Sequence, residues 1–273
     1  MKNKLFSVPY YIWLAFFVIL PLGLVVYYGF TTADGEFSVE NFKRFLEPNY
    51  VEVFGRSIKI AVISTVICIF LGYPAAYILA RGTLKHKNII LLLMMLPMWM
   101  NFLVRTYSWL SILENSGLIN TLLAKMDIDP ITFLYNEKAV VFGTVYNFLS
   151  FMIMPIHTVL VKLDDSLMEA AADLGATPVK RFFKIVLPFS VPGILSGIAF
   201  VFVPSVTTFV ISQLMGGAKV PLVGNVIEQQ FTKVGNWNFG AAVSIVVMVC
   251  VLVFMFAINK TDDSGTDRSG MIL

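Results

Sequence analysis

Side chains that could carry chemistry are few and scattered. His86 and His157 are the only histidines, and neither has a nucleophile and a carboxylate at a spacing that would form a relay. Neither G-x-x-x-x-G-K-[ST] nor G-x-G-x-x-G occurs, so the chain has no phosphate cradle of its own. Gly216-Gly217-Ala218-Lys219 is the nearest echo and lacks the Ser or Thr that should follow. Cys68 and Cys250 stand inside apolar runs without metal or disulfide spacing. No catalytic, cofactor or metal residue is expected. What remains is a set of polar groups inside apolar stretches. Arg105 is the one ionisable side chain well inside such a run; it either faces a bundle interior or snorkels to an interface. Asn101, Tyr107, Tyr146, Asn147, Ser205 and Thr208 are candidates, with Arg105, to line a path for a polar solute. Interhelical hydrogen bonds are the bland alternative for each. The runs hold no Asp or Glu, so a passing cation would meet aromatics, amides and hydroxyls.

The elements that must position these groups follow from composition. Hydrophobic residues make up 58% and charged residues 14% of the 273, against about 25% charged in a soluble domain. Apolar runs of about 20 residues, each able to cross a hydrocarbon core of about 30 Å, alternate with short polar connectors. The fold class is all-α, a polytopic membrane bundle of six spans in a single domain. Expected spans are 10–30, 57–80, 88–113, 139–161, 189–214 and 239–258, with an inner loop at 162–188 and a disordered tail from 259. The N-terminal run is read as an uncleaved span because it is long and lacks a small-residue cleavage pattern. The segments assigned to the inside hold 11 of the 20 Lys and Arg although they are shorter than the outer ones. That places both termini in the cytoplasm. The basic residues therefore track topology and give no reason to expect nucleic acid; lipid is the surrounding partner. Pro21, Pro74, Pro97, Pro155 and Pro204 put an internal proline in each of the first five spans, which suits bent helices. Gly72, Ala76 and Ala80, and Gly193 with Gly197, are small-residue stripes where helices can approach closely.

The inner loop has the clearest local pattern. Ser166 followed by Glu169 reads as a capping box opening a short helix. Gly175 stands where a left-handed residue would end it. Thr177-Pro178 offers a second N-cap with proline at the first helical position. In the helix that follows, Val179, Phe182, Phe183 and Val186 share a face, and Pro188 is expected to close it.

Glu169, Ala170, Ala171, Gly175, Ile185, Leu187 and Pro188 also fill, without a spacing departure, the E-A-A…G…I-x-L-P pattern of ABC-importer permeases. The loop therefore resembles the EAA loop of that family. L-G-Y-P-A-A-Y-I-L-A-R from Leu71, L-V-R-T-Y-S-W from Leu103 and Q-L-M-G-G-A-K-V-P-L-V-G-N-V-I from Gln213 are similar to its polyamine (spermidine/putrescine) branch. The resemblance implies a six-span, MetI-like permease subunit of a bacterial cytoplasmic membrane. It further implies a second homologous permease, a cytoplasmic ABC ATPase dimer that holds the ATP and Mg, and an extracytoplasmic polyamine-binding protein. Glu169, Ala170, Ala171, Asp173, Leu174, Gly175 and Ala176 would then be coupling contacts, and none would be catalytic. A permease for ferric iron, an oxyanion or thiamine remains open. A secondary carrier, which should show intramembrane acids or an inverted repeat, and a membrane enzyme are more distant alternatives.

Overall fold

The structure of the protein, a computed structural model, describes residues 8–83 and 85–269. Lys2 and Lys4, on which the inner placement of the N-terminus partly rests, lie outside the described residues. In chain order the helices are α1 (Pro9–Gly29), α2 (Glu40–Phe45), α3 (Pro48–Arg81), α4 (Lys87–Trp99), α5 (Phe102–Leu113), α6 (Leu118–Ala124), α7 (Glu137–Leu160), α8 (Asp165–Asp173), α9 (Pro178–Thr207), α10 (Val223–Gln229) and α11 (Trp237–Ser269). Among the described residues the only extended pairing is a bridge between Thr31 and Phe37. Among the described residues five helices are long and apolar enough to cross a membrane, and the count is six if a bent pair is one span.

The centre is α7, flanked by α3 and α9. More than half of its apolar stretch is buried (56%), against 6% for α1. Small residues make this packing possible. A Cβ added at Gly193 would lie 2.9 Å from the Pro155 carbonyl oxygen, and one at Gly197 would lie 3.3 Å from that of Met152. From the other side, a Cβ at Gly72 on α3 would lie 3.0 Å from Met152 Cγ. Lipid tails are as apolar as leucine, so close van der Waals fit must replace the hydrophobic drive. Tyr73, Met152, Ile156, Leu160, Val186 and Val201 fill the space between the three helices. At the end remote from the 162–188 loop α1 leans on α11, and Asn238 Nδ2 closes the α1 terminus by donating to Thr31 O at 2.7 Å and Tyr28 O at 3.1 Å.

Four expectations are corrected. The single span at 88–113 is two helices: α4 ends at Trp99, and α5 with α6 leaves at 96° to it. Met100 is extended, and Asn101 starts a new ladder by accepting from Leu103 N at 2.9 Å and Val104 N at 3.3 Å. Asparagine is among the strongest N-caps, and Pro97 has already removed a ladder donor. Secondly, Pro188 closes nothing. The loop's second helix runs on into the fifth crossing as α9, through a π-turn at Phe182–Val186 where Leu187 N donates five residues back to Phe182 O. Widening the turn by one residue carries the helix past the proline's missing N–H. Thirdly, the fifth crossing stops at Thr207 and does not reach 214, because Thr208 turns extended. The outer segment beyond it folds back into the bundle as α10, burying Leu222 and Val223 and seating Val223 N on Ser57 Oγ at 2.8 Å. Lastly, α11 continues as helix to Ser269 where a disordered tail is expected; 270–273 lie outside the described residues.

Candidate functional site

The inner loop builds a short exposed helix, α8, whose two ends are chemically closed. Asp164 is the N-cap, accepting from Ser166 N at 2.9 Å. The N–H and hydroxyl of Ser166 hold its carboxyl below the usual carboxylate range. The capping box expected from Ser166 and Glu169 is therefore not formed, and Glu169 makes no hydrogen bond or ion pair among the described residues. Leu163 explains the shift: it is buried in the core, so the chain emerges one residue later and the first cap available is Asp164. At the other end Gly175, at φ +76°, donates to Ala172 O at 2.8 Å, and Ala176 donates to Ala171 O at 2.9 Å. This is a Schellman closure, which needs the left-handed residue that glycine supplies without strain. Thr177 then caps α9, accepting from Lys180 N at 3.3 Å, with Pro178 at the first position.

Of the seven sequence-predicted coupling residues, Glu169, Ala170, Asp173, Leu174 and Gly175 are exposed, and Ala171 and Ala176 are half-buried. Leu174 is 88% exposed, and a Cβ added at Gly175 would meet nothing within 4 Å. Leu167, Val179 and Phe183 are exposed beside them. Together these side chains give an otherwise polar loop a group of exposed apolar residues. Expected face-mates Phe182 and Val186 turn inward instead: Val186 is fully buried and the Phe182 ring stands edge-on to Tyr73 at 5.9 Å and to Tyr77 at 5.7 Å. The four residues divide into two i, i+4 pairs along the edges of one stripe, Val179 with Phe183 outward and Phe182 with Val186 inward.

The candidate path residues separate into groups. Arg105 and Tyr146 come together, with the guanidinium carbon 5.9 Å from the Tyr146 ring and Tyr146 5.2 Å from Trp109. Arg105 is 5% exposed and does not snorkel; its Nη1 donates to Pro97 O at 2.6 Å, across the corner between α4 and α5. Asn101 caps α5, Tyr107 is half exposed, and Ser205 bonds back within α9 to Val201 O. Asn147 is buried with Nδ2 on Gly143 O at 2.8 Å and Oδ1 without a partner. Thr208 is half-buried where α9 ends. The sequence reading missed the inward folding of α10, although Val220, Leu222 and Val223 in a nominal loop were a signal. It also missed a cleft of about 760 Å³ at the end of the bundle remote from α8, lined by Thr32, Asn41, Arg44, Glu47, Asn236 and Asn238. The apolar-run pattern has nothing to say about where two polar connectors meet.

The apolar helices and the sequence matches together define the class, a multi-pass membrane transport permease. The chain belongs to the family described as binding-protein-dependent transport system inner membrane component, whose model matches residues 69–261. It is 41% identical over 254 residues to the spermidine/putrescine transport system permease protein PotB of Haemophilus influenzae, covering 89% of both chains. It is 39% identical over 245 residues to PotB of Escherichia coli K12, covering 87% of this chain and 89% of that one. Among solved structures, it matches a chain of the bacterial alginate ABC transporter in complex with alginate pentasaccharide-bound periplasmic protein. That match has a TM-score of 0.81 at 15% identity and covers 95% of this chain and 94% of that chain. The MetNI methionine ABC transporter matches at a TM-score of 0.58 and 17% identity, over 79% of this chain and 95% of that one. The fold is that of ABC-importer permeases.

Proposed function

We propose that this permease imports polyamines, spermidine or putrescine, and that α8 is its coupling element to a separate cytoplasmic ATPase dimer. The observation that carries the coupling reading is the exposure of Leu174 on a helix closed at both ends. A surface so rigid and so uncovered fits a partner's groove. Relatives at 39–41% identity named for spermidine and putrescine support the substrate. On this reading ATP and Mg are held by the ATPase and this chain performs no chemistry. A second homologous permease completes the pathway, and an extracytoplasmic polyamine-binding protein delivers substrate at the outer end, where the cleft beside Asn238 opens. Both termini lie on the cytoplasmic side with α8.

Closure of the ATPase dimer displaces α8, and the continuous helix α9 carries that displacement into the bundle as a rigid-body movement. The path is formed by the ring, amide and hydroxyl groups of Tyr107, Tyr146, Asn147 and Thr208. Arg105, bonded into the corner, sets where Tyr107 and Tyr146 stand. Asn101 and Ser205 contribute through the caps and back-bonds that fix those helices.

The test is uptake of labelled spermidine and putrescine, with ATP hydrolysis, in vesicles holding the complete importer. The wild type should take up both in competition with one another, and ferric iron, phosphate and thiamine should not compete. Gly175→Val should keep normal protein levels and lose most uptake. Normal binding-protein-stimulated hydrolysis and normal uptake in that variant would make α8 a mere connector.

A further inference from the structure

The coupling helix is held from a second side. Arg81, the last residue of α3, reaches 82 residues along the chain to donate Nη1 to Leu163 O at 2.7 Å. Its Nη2 pairs with the Asp165 carboxylate in the first turn of α8. The Arg81 side chain is 15% exposed and that of Asp165 82%, so a fixed guanidinium holds a carboxylate at the water's edge. Both charges suit their places, a cation at a helix C-terminus and an anion at a helix N-terminus. Arginine suits the task because its planar fork serves a carbonyl and a carboxylate at once, which an ammonium does not. Further along α8, Arg181 Nη1 donates to Met168 O at 3.3 Å. The next residue, Phe182, rests on Tyr73 and Tyr77 of α3. Met168 itself packs on the central core. Thus α8 meets α3 directly at its start through Arg81, and its middle, at Met168, is linked to α3 indirectly through Arg181 and Phe182 of α9.

We infer that α3 and α8 move as one body, with Arg81 the positioning residue that transmits the displacement of α8 into α3. This rests on the reading of α8 as the coupling element. It adds a second route to the one through α9. Because α3 and α9 both pack on α7 and against each other, a push at α8 reaches both neighbours of the central helix together.

The experiment uses the complete importer in vesicles, with labelled spermidine as the probe, and reads assembled protein, uptake and ATP hydrolysis. Arg81→Gln should assemble and lower uptake per ATP hydrolysed by about tenfold, the weight of a charged hydrogen bond. Asp165→Asn, at an exposed position, should assemble normally and lower the ratio less, because the Leu163 bond survives. In a background with Cys68 and Cys250 replaced by Ala, Arg81→Cys with Asp165→Cys should lose coupling, and a short bis-methanethiosulfonate cross-linker, which joins the two thiols with loss of methanesulfinate, should restore it. An unchanged ratio in both single variants overturns the inference. So does a cross-link that stops uptake while hydrolysis continues, since the two helices would then have to slide apart. Gly175→Val is measured alongside. Loss of uptake there with a normal ratio at Arg81 and Asp165 sinks the arginine link alone, whereas normal uptake there sinks the coupling reading and this inference with it.

Discussion

Two arginines close two gaps in the helix ladders, and they do so in opposite ways. Arg81 ties the start of α8 to α3 through a carbonyl and an exposed carboxylate. Arg105 ties the end of α4 to α5 through the Pro97 carbonyl, buried between the rings of Phe102 and Tyr146 with no acid in reach and its Nε unpartnered. The exposed carboxylate adds little by itself, so the Arg81 link rests mainly on the Leu163 carbonyl. A buried guanidinium resting on neutral oxygens cannot be released without leaving an uncompensated charge. The inner tie joins two helices that move together, and the corner at Arg105 holds a fixed strut.

The sharpest way to break that contrast is Arg105→Ala. It leaves Pro97 O with only Met100 N at 3.3 Å and should destabilise the protein by about 2–3 kcal/mol, read as less protein in membranes and earlier heat unfolding in detergent. A normal level with altered polyamine selectivity would instead put the guanidinium in the path. Phe182→Ala removes two ring contacts to α3 and should cost about 2 kcal/mol, at up to about 1.5 per pair; the same unfolding measurement checks it. Gly175→Val adds left-handed strain of about 1–2 kcal/mol where nothing crowds the new side chain. Its unfolding temperature should move least among these three while its uptake falls furthest.

Acid separates the caps. Bonds from Ser166 hold the Asp164 carboxyl low, so its cap is complete above the ordinary aspartate pKa of about 3.9 and is lost as pH falls through the lower folded value. Asp164→Ala should remove that acid limb from a helicity titration of the purified protein and leave neutral-pH assembly intact. Glu169→Ala should be smallest on stability, with no measurable change in unfolding, because its side chain bonds nothing among the described residues. Any loss of uptake it causes then belongs to the surface that α8 presents.

Much of this was legible in the residues. Gly175, Thr177 and Pro178 do in the structure what their types require, because caps and left-handed turns are decided within a few residues of backbone. The apolar runs gave the crossings for the same reason: their length against a bilayer is a one-dimensional property. Gly72, Gly193 and Gly197 announced close packing, though not that all three would meet α7. Of the candidate sites, the exposed part of α8 was readable and the fate of the polar groups in the spans was not. Arg105, Asn147 and Ser205 look alike in sequence and end as a corner tie, a half-satisfied buried amide and a back-bond.

Local chemistry in the sequence determined the membrane class, the short helices of the inner loop and the glycine turn between them. Tertiary structure decided which cap wins, since burial of Leu163 moves the start of α8 to Asp164. It decided that the crossing at 88–113 breaks, because a bend persists only where another group satisfies the freed carbonyl, and that group is the Arg105 side chain, eight residues on. It also decided that Arg81 meets Asp165, 84 residues away. No pattern along the chain encodes that meeting, because it depends on α3 and α7 ending at the same level after packing through Gly72.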